Sequence, residues 1–448
     1  MRARLFVPVV GVMWATSLSA QDPRTRPQGV DLAHPYVAGN IPSLAVQPFA
    51  APAPAANVAA QLTGIIENDL RISDRFRIHP VPAELMSGPV NYAAWNSLSL
   101  WWLVTGDVLP TPSGFRLEVV AHDVVYTTVK QRRTFTLPLP TSPDYRMAVH
   151  AVSDEIVRWI FNQLGMAATR IAFVRLNDDG NFDLMMVDAD GENLRRIAGS
   201  ESSIYSPAWS PDGRKLAYLT RQTEGWVLQE RELASGQMRR IHSAPDLMYT
   251  PAYSPDGSKI AFGLWVPGGS EIFSFDLSRN CCLTRLTDSN GDNLSPTYSP
   301  DGSQIVFQST RTGRHHIYLM TANGGRAELL SPFGDGAEYQ APQWAPDGSH
   351  VMFHGASIGG YQLMLADASR PRGRLTQLTS QGRSEDPAWS PDARHVVITG
   401  SGMGGTGPGL YVFDRVSQKS RLLVAGVRLR NPDWSQSLAG LVNMAGPR

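Results

Sequence analysis

One motif returns six times along this 448-residue chain and limits what it can fold into. The first copy reads Ser206-Pro207-Ala208-Trp209-Ser210-Pro211-Asp212-Gly213. Further copies occupy residues 250–257, 295–302 and 341–348. The fifth, at 386–393, ends on Ala393 in place of glycine, and the sixth, at 431–435, breaks off before Gln436. The leading prolines step by 44, 45, 46, 45 and 45 residues. That period matches a four-stranded propeller blade of roughly 40–50 residues.

Each part of the motif has a physical role. The aromatic is a wedge that packs between blades. Ser-Pro-Asp-Gly is a tight turn, with φ preset by Pro, a local acceptor on Asp and positive φ on Gly. A short apolar strand follows every turn: residues 216–219, 260–262, 305–307, 351–353 and 396–398. A third strand such as 317–320 and a shorter, more polar fourth such as 327–330 complete each unit. Residues 171–174 read as a second strand without a first, whereas 431–435 read as a first strand without a second. Joined, they make one blade, so the chain's end pairs with the propeller's beginning and two exposed edges disappear. Six blades result, over 170–438, with a tail at 439–448.

Residues 41–166 lack the repeat and predict a smaller α/β domain. Strands are expected at 44–49 and 101–105, and a hairpin from 115–123 and 130–137. Residues 58–69 and 146–164 carry apolar residues at helical spacing, with Gly165 expected as a C-cap. The expected class is therefore mostly β, a six-bladed β-propeller preceded by a smaller α/β domain. The linker 165–169 is short enough for a fixed interface between the two.

Composition excludes several roles. There are 40 Lys plus Arg and 40 Asp plus Glu, so no net field draws the chain to nucleic acid. Arg2 and Arg4, an apolar run from Leu5 to Ala15 and small residues Ser17, Ser19 and Ala20 predict an export signal over 1–20, cut after Ser19 or Ala20. Residues 21–40, rich in Pro, Arg and Gly, are expected to be mobile. No later apolar run is long enough to span a membrane. The two cysteines, Cys281 and Cys282, are adjacent. On a strand they should divide between core and surface, with a vicinal disulfide as the alternative. Neither lies near the signal's end, so neither is available for lipid attachment.

Catalytic patterns are missing. No Gly-x-Ser-x-Gly elbow occurs and no hydrolase domain follows the repeats. Residues 188–193 depart from a calcium loop, whose twelfth position would fall on Gly199, and read as a hairpin turn. The His315-His316 rings should diverge, and Met185-Met186 should split between core and surface. No cofactor, metal or catalytic residue is expected.

Several front-domain segments carry a resemblance to a known family. They are residues 68–76 (Asn68-Asp69-Leu70-Arg71-Ile72-Ser73-Asp74-Arg75-Phe76), Tyr92-Ala93-Ala94-Trp95, Val104-Thr105-Gly106-Asp107-Val108, and residues 150–156 leading into 171–174. With the repeats, the closing Asn-Pro-Asp-Trp-Ser and the export signal, the chain resembles the TolB family of periplasmic propeller proteins. The resemblance implies a periplasmic, non-catalytic protein of the Tol-Pal system. It implies binding to the lipoprotein Pal through the propeller and to the inner-membrane protein TolA through the extreme N-terminus. It also implies a role in outer-membrane integrity and in envelope constriction at cell division. Residues 21–27 carry two prolines where the family has alternating apolar residues, so any TolA contact is expected at Val30, Asp31 and Leu32. The rival classes are a propeller enzyme and a sugar-binding surface protein. A monomer is expected.

Loops at equivalent positions gather on one propeller face. The residues just before each Pro-aromatic strand, Tyr205, Tyr249, Leu294, Gln340, Glu385 and Arg430, should therefore form a crown, with Thr250 and Ser295 beside them. The family resemblance makes this crown the Pal-binding face. Aromatic residues and Arg dominate interface energies, which singles out Tyr205, Tyr249 and Arg430.

Overall fold

A computed structural model describes residues 41–441 except 200, 201, 334, 335, 358 and 359. The expected signal at 1–20, the segment 21–40 with Val30, Asp31 and Leu32, and the tail from 442 lie outside the described residues.

The front domain runs β1 (Ser43–Val46), α1 (Ala56–Ile72), β2 (Arg77–Ile78), α2 (Tyr92–Ser97), β3 (Trp102–Thr111), β4 (Gly114–Asp123), β5 (Thr128–Pro138) and α3 (Tyr145–Phe161). Its mixed sheet has the order β2-β1-β3-β4-β5, with β1 parallel to both neighbours and β3, β4 and β5 antiparallel. Leu62, Ile66 and Leu70 of α1 and Val149, Val152 and Ile156 of α3 follow helical spacing, so each helix turns one apolar stripe to the sheet. They close over Leu117, Val119, Phe135 and Leu137. The other sheet face holds α2, which seats Trp95 against Ala45, Leu100, Leu103 and Val124. This six-residue helix is too short to announce itself by periodicity.

Two boundaries differ from expectation. The first strand ends at Val46 rather than at 49, because Pro48 carries no backbone donor. Helix α3 ends on Asn162, left-handed at φ 53°, and not on Gly165. Gly165 serves a close approach instead: a Cβ there would lie 2.0 Å from Asp154 Oδ1. The Asp154 carboxylate accepts from the Ala167 and Ala168 N–H groups, each at 2.9 Å. The linker is thereby tied to the helix it leaves.

Six four-stranded sheets follow, one per repeat. Leu429–Trp434 pairs antiparallel with Arg170–Leu176, Trp434 opposite Ile171. The Trp434 indole donates to Thr169 Oγ1 at 2.7 Å. The ring thus closes through the first blade, as the orphan half-blades predict. Blades are numbered 1 to 6 in chain order, blade 1 being the composite one. Between blades the motif aromatics act as wedges: the Trp209 indole donates to the Asp433 carbonyl at 3.2 Å and that of Trp389 to the Gln343 carbonyl at 3.3 Å. Met185 and Met186 are both buried, not split. Both faces of a blade press on neighbours, Met185 toward blade 6 and Met186 toward blade 2. Each Ser-Pro-Asp-Gly turn is self-bonded. Ser210 Oγ donates to Asp212 Oδ1 at 2.6 Å and accepts the Lys215 N–H at 2.9 Å, with Gly213 at φ 69°.

The front domain rests on the turn side of blades 6 and 1, astride the closing seam. Ion pairs cross the contact: Arg146 with Asp190, Arg75 with Asp392 and His395 with Asp74. Arg394 donates to the Asp74 carbonyl at 2.7 Å. Leu438, just past the last strand, packs into the front-domain core.

Cys281 and Cys282, on the outer strand of blade 3, are joined by a disulfide and not divided between core and surface. Cys282 takes a left-handed φ of 67°, which interrupts the strand's alternation and leaves Cys281 half-buried and Cys282 exposed.

Candidate protein-docking face

The inner strand of five blades, and the closing strand of blade 1, bulges at the residue before its proline. Ser206, Thr250, Ser295, Ala341, Asp386 and Asn431 all have positive φ, at 47°, 26°, 52°, 51°, 47° and 47°. The pairing register shifts at each. A left-handed residue opening a bulge is usually glycine, and a non-glycine residue there costs about 1–3 kcal/mol. None of these six is glycine, so each carries a side chain at a strained position.

The residue before each bulge is the crown residue. Tyr205 pairs with Leu219, Tyr249 with Gly263, Leu294 with Gln308, Gln340 with His354, Glu385 with Thr399 and Arg430 with Val174. The six crown residues therefore sit at one register position around the ring. This end of the inner strands is opposite the turns on which the front domain rests.

Two crown residues, Tyr205 and Leu294, reach the neighbouring blade. Tyr205 packs between Phe182, 5.9 Å away, and Trp226, 5.1 Å away. The Arg430 guanidinium lies 6.0 Å over Phe182. Gly263 makes room for two of them: a Cβ there would meet Tyr249 Cβ at 3.1 Å and Leu294 at 3.5 Å. Glu385 pairs with Arg383 at 2.6 Å, and Arg383 lies 5.3 Å over Tyr361. Leu247, Trp265, Phe333 and Val427, all exposed, lie in the same layer of loops and hairpins.

Inside the crown is a channel of about 590 Å³. Of the expected site residues, Thr250, Ser295 and Gln340 line it; Tyr205, Tyr249, Leu294, Glu385 and Arg430 stand outside it. The single-sequence reading missed Gln308, His354, Asp386 and Asp433, which also line it. Asp386 and Asp433 were visible as motif positions, but nothing local shows that they face a channel. Burial raises the Asp386 carboxyl and pushes the Asp433 carboxyl up to about 7, although the Trp209 N–H donates to Asp433 at 2.7 Å. Burial pushes the His354 imidazole down to about 4, and its Nδ1 accepts the Asp386 N–H at 3.2 Å. No Lys or Arg lines the channel among the described residues.

Among the described residues, two groups bring His and Asp atoms together as metal ligands would, both at the front-domain contact: Asp69, His150 and Asp190, and Asp74, His395 and Asp414. In each an arginine already donates to a carboxylate, Arg146 to Asp190 and Arg394 to Asp414. These are ion-pair networks. His150 Nδ1 lies 2.8 Å from Asp69 Oδ2, which also accepts from Ser153 Oγ at 2.6 Å. Burial would pull the His150 imidazolium down, but Asp69, with Asp190 and Asp188, outweighs it and raises its pKa to about 9.

The profile described as "TolB beta propeller domain" matches residues 159–438, well over half of the chain. The chain belongs to the TolB family. A second profile, "TolB amino-terminal domain", matches residues 37–129. The Tol-Pal system protein TolB of Methylococcus capsulatus is 34% identical over 208 residues, which is 45% of this chain and 47% of that protein. Its namesake in Escherichia fergusonii is 33% identical over 238 residues, covering 50% of this chain and 52% of that one. The chain thus spans about half the length of the curated TolB relatives it matches. The crystal structure of TolB from Acinetobacter baumannii superposes with a TM-score of 0.77 at 26% identity, over 89% of this chain and 97% of that one.

Proposed function

We propose that this chain is a periplasmic protein-binding scaffold of the Tol-Pal system, not an enzyme. Its crown face holds the lipoprotein Pal at the outer membrane. Its N-terminal segment, with Val30, Asp31 and Leu32, reaches the inner-membrane Tol complex through TolA. The link maintains outer-membrane integrity and envelope constriction during division. The observation that carries this reading is the six-fold register of the crown around the channel on the side the front domain leaves free. Strained, non-glycine bulges repeated in every blade are costly, and a cost repeated at one rim points to use of that rim. The names of the TolB relatives support the system.

The test is direct titration with a purified Pal periplasmic domain. Tyr249→Ala and Arg430→Glu should each weaken binding by about 10- to 30-fold, the range of an interface hot spot. Cooperative thermal unfolding should be retained, since Arg430 is exposed and Tyr249 only half-buried. Wild-type affinity in both variants sinks the assignment of this face, and no binding by the parent chain sinks the Pal reading itself.

A further inference from the structure

The disulfide between Cys281 and Cys282 joins consecutive residues on the outer strand of blade 3 (Cys281–Arg285). Cys281 is half-buried and Cys282 exposed. The strand is the last of its sheet and lies on the rim away from blades 6 and 1, where the front domain rests. Cys282 is thus the solvent-facing half of the bridge, and the exposed class of disulfides is the one that exchanges readily.

The bond also bears on local pairing. Cys281 pairs with Asp276, so unbroken antiparallel register would set Leu283 opposite Ser274. The observed partner of Ser274 is Thr284, one residue later. The extra residue is absorbed where Cys282 takes a left-handed φ of 67°, a conformation that costs a non-glycine residue about 1–2 kcal/mol. Both flanks are held without the sulfurs. On one side the Asp276 carboxylate accepts from Ser278 Oγ and from the Arg279 N–H and Nε. On the other, Arg285 donates to Glu271 at 2.9 Å and the Leu286 N–H to the Ile272 carbonyl at 2.8 Å. The segment without such ties is 282–284, where the register shift lies. A bridge between neighbours closes the smallest possible loop, so it restrains the unfolded chain little.

We propose that Cys281–Cys282 is a reversible thiol–disulfide site that thiol reductants open in the folded protein, relaxing the bulge in this outer strand. A reductant thiolate attacks Cys282 Sγ, forming a mixed disulfide and releasing the Cys281 thiolate, which takes up a proton. A second reductant thiolate attacks the reductant sulfur of the mixed disulfide, forming the oxidised reductant and releasing the Cys282 thiolate, which is likewise protonated. Two electrons pass from two thiols to the bridge, and the product is a vicinal dithiol able to chelate a trivalent arsenical.

The experiment uses the full chain in glutathione buffers of graded potential, with alkylation and mass measurement. The expected result is a gain of two alkyl groups under native conditions with the far-ultraviolet circular dichroism unchanged. The reduced chain should then capture phenylarsine oxide, with affinity lower by at least about tenfold in Cys282→Ser and in Cys281→Ser. Hydrogen exchange should change between the two states at the amides of 282–284 and not at 286–287. Alkylation that requires unfolding, two free thiols in the air-equilibrated chain, or equal exchange at 282–284 in both states overturns the proposal.

Discussion

Single atoms decide how the two domains are joined. At Gly165 the chain passes so close to Asp154 that a methyl group would have to displace a carboxylate holding two backbone N–H groups. Gly165→Ala is expected to cost at least about 2 kcal/mol, by overpacking and by loss of those bonds. Urea unfolding of the variant checks it. Gly165 is a residue whose importance sequence reading caught for the wrong reason: a glycine after a helix suggests a cap, and only the fold shows Asp154 beside it. The Cys281-Cys282 pair is similar. Alternation along a strand argues for one sulfur in and one out, but the left-handed backbone at Cys282 interrupts the alternation, and the residue types do not announce it.

At the scale of the element, the turn between the first two strands of each blade is a repeated solution with one exception. Gly213, Gly257, Gly302 and Gly348 take φ of 69°, 70°, 72° and 73°, and Ala393 of blade 6 is held at 53°. An alanine in this region costs about 1–2 kcal/mol, and a glycine loses roughly 0.5–1 kcal/mol more entropy on folding. Ala393→Gly should therefore stabilise the protein by about 0.5–1 kcal/mol, read as a rise in denaturant midpoint at unchanged slope. The turn's neighbours are the interdomain residues Arg394 and His395, and its Asp392 pairs with Arg75. The loss of the motif glycine was legible in the sequence. The partners of that turn were not, because they lie more than 300 residues earlier in the chain.

For the whole molecule, two joints matter: the ring closure and the seat of the front domain. Trp434 is buried, pairs across to Ile171 and bonds Thr169. Trp434→Ala should cost about 3–5 kcal/mol and expose the edge of residues 170–176, seen as a large fall in unfolding midpoint and new proteolysis near that strand. The seat is governed by charge. His150 rises from its ordinary 6.5 to about 9 in the folded protein, and His395 shifts the same way: burial lowers it, while Asp392, Asp74 and Asp414 outweigh burial. A raised folded value means that folding favours the protonated form. The stabilisation is complete below pH 6.5 and is lost as pH climbs through about 9. Stability should therefore fall by roughly 3 kcal/mol between about pH 6 and about pH 10 from His150 alone, and His150→Gln should flatten that slope. Denaturant titrations across this range check the sign and the size.

By itself the sequence determined the number of blades, the turn chemistry and the pairing of the last segment with the first strand of the ring. Those properties are periodic or local, written in spacing and in residues that bond their own neighbours. Tertiary structure alone decided that Met185 and Met186 are both buried, that Asp386 and Asp433 face a channel, and that Asp190 and His395 meet the front domain. Each depends on what approaches from a distant part of the chain, and a polar or apolar side chain carries no mark of which neighbour will complete its surroundings.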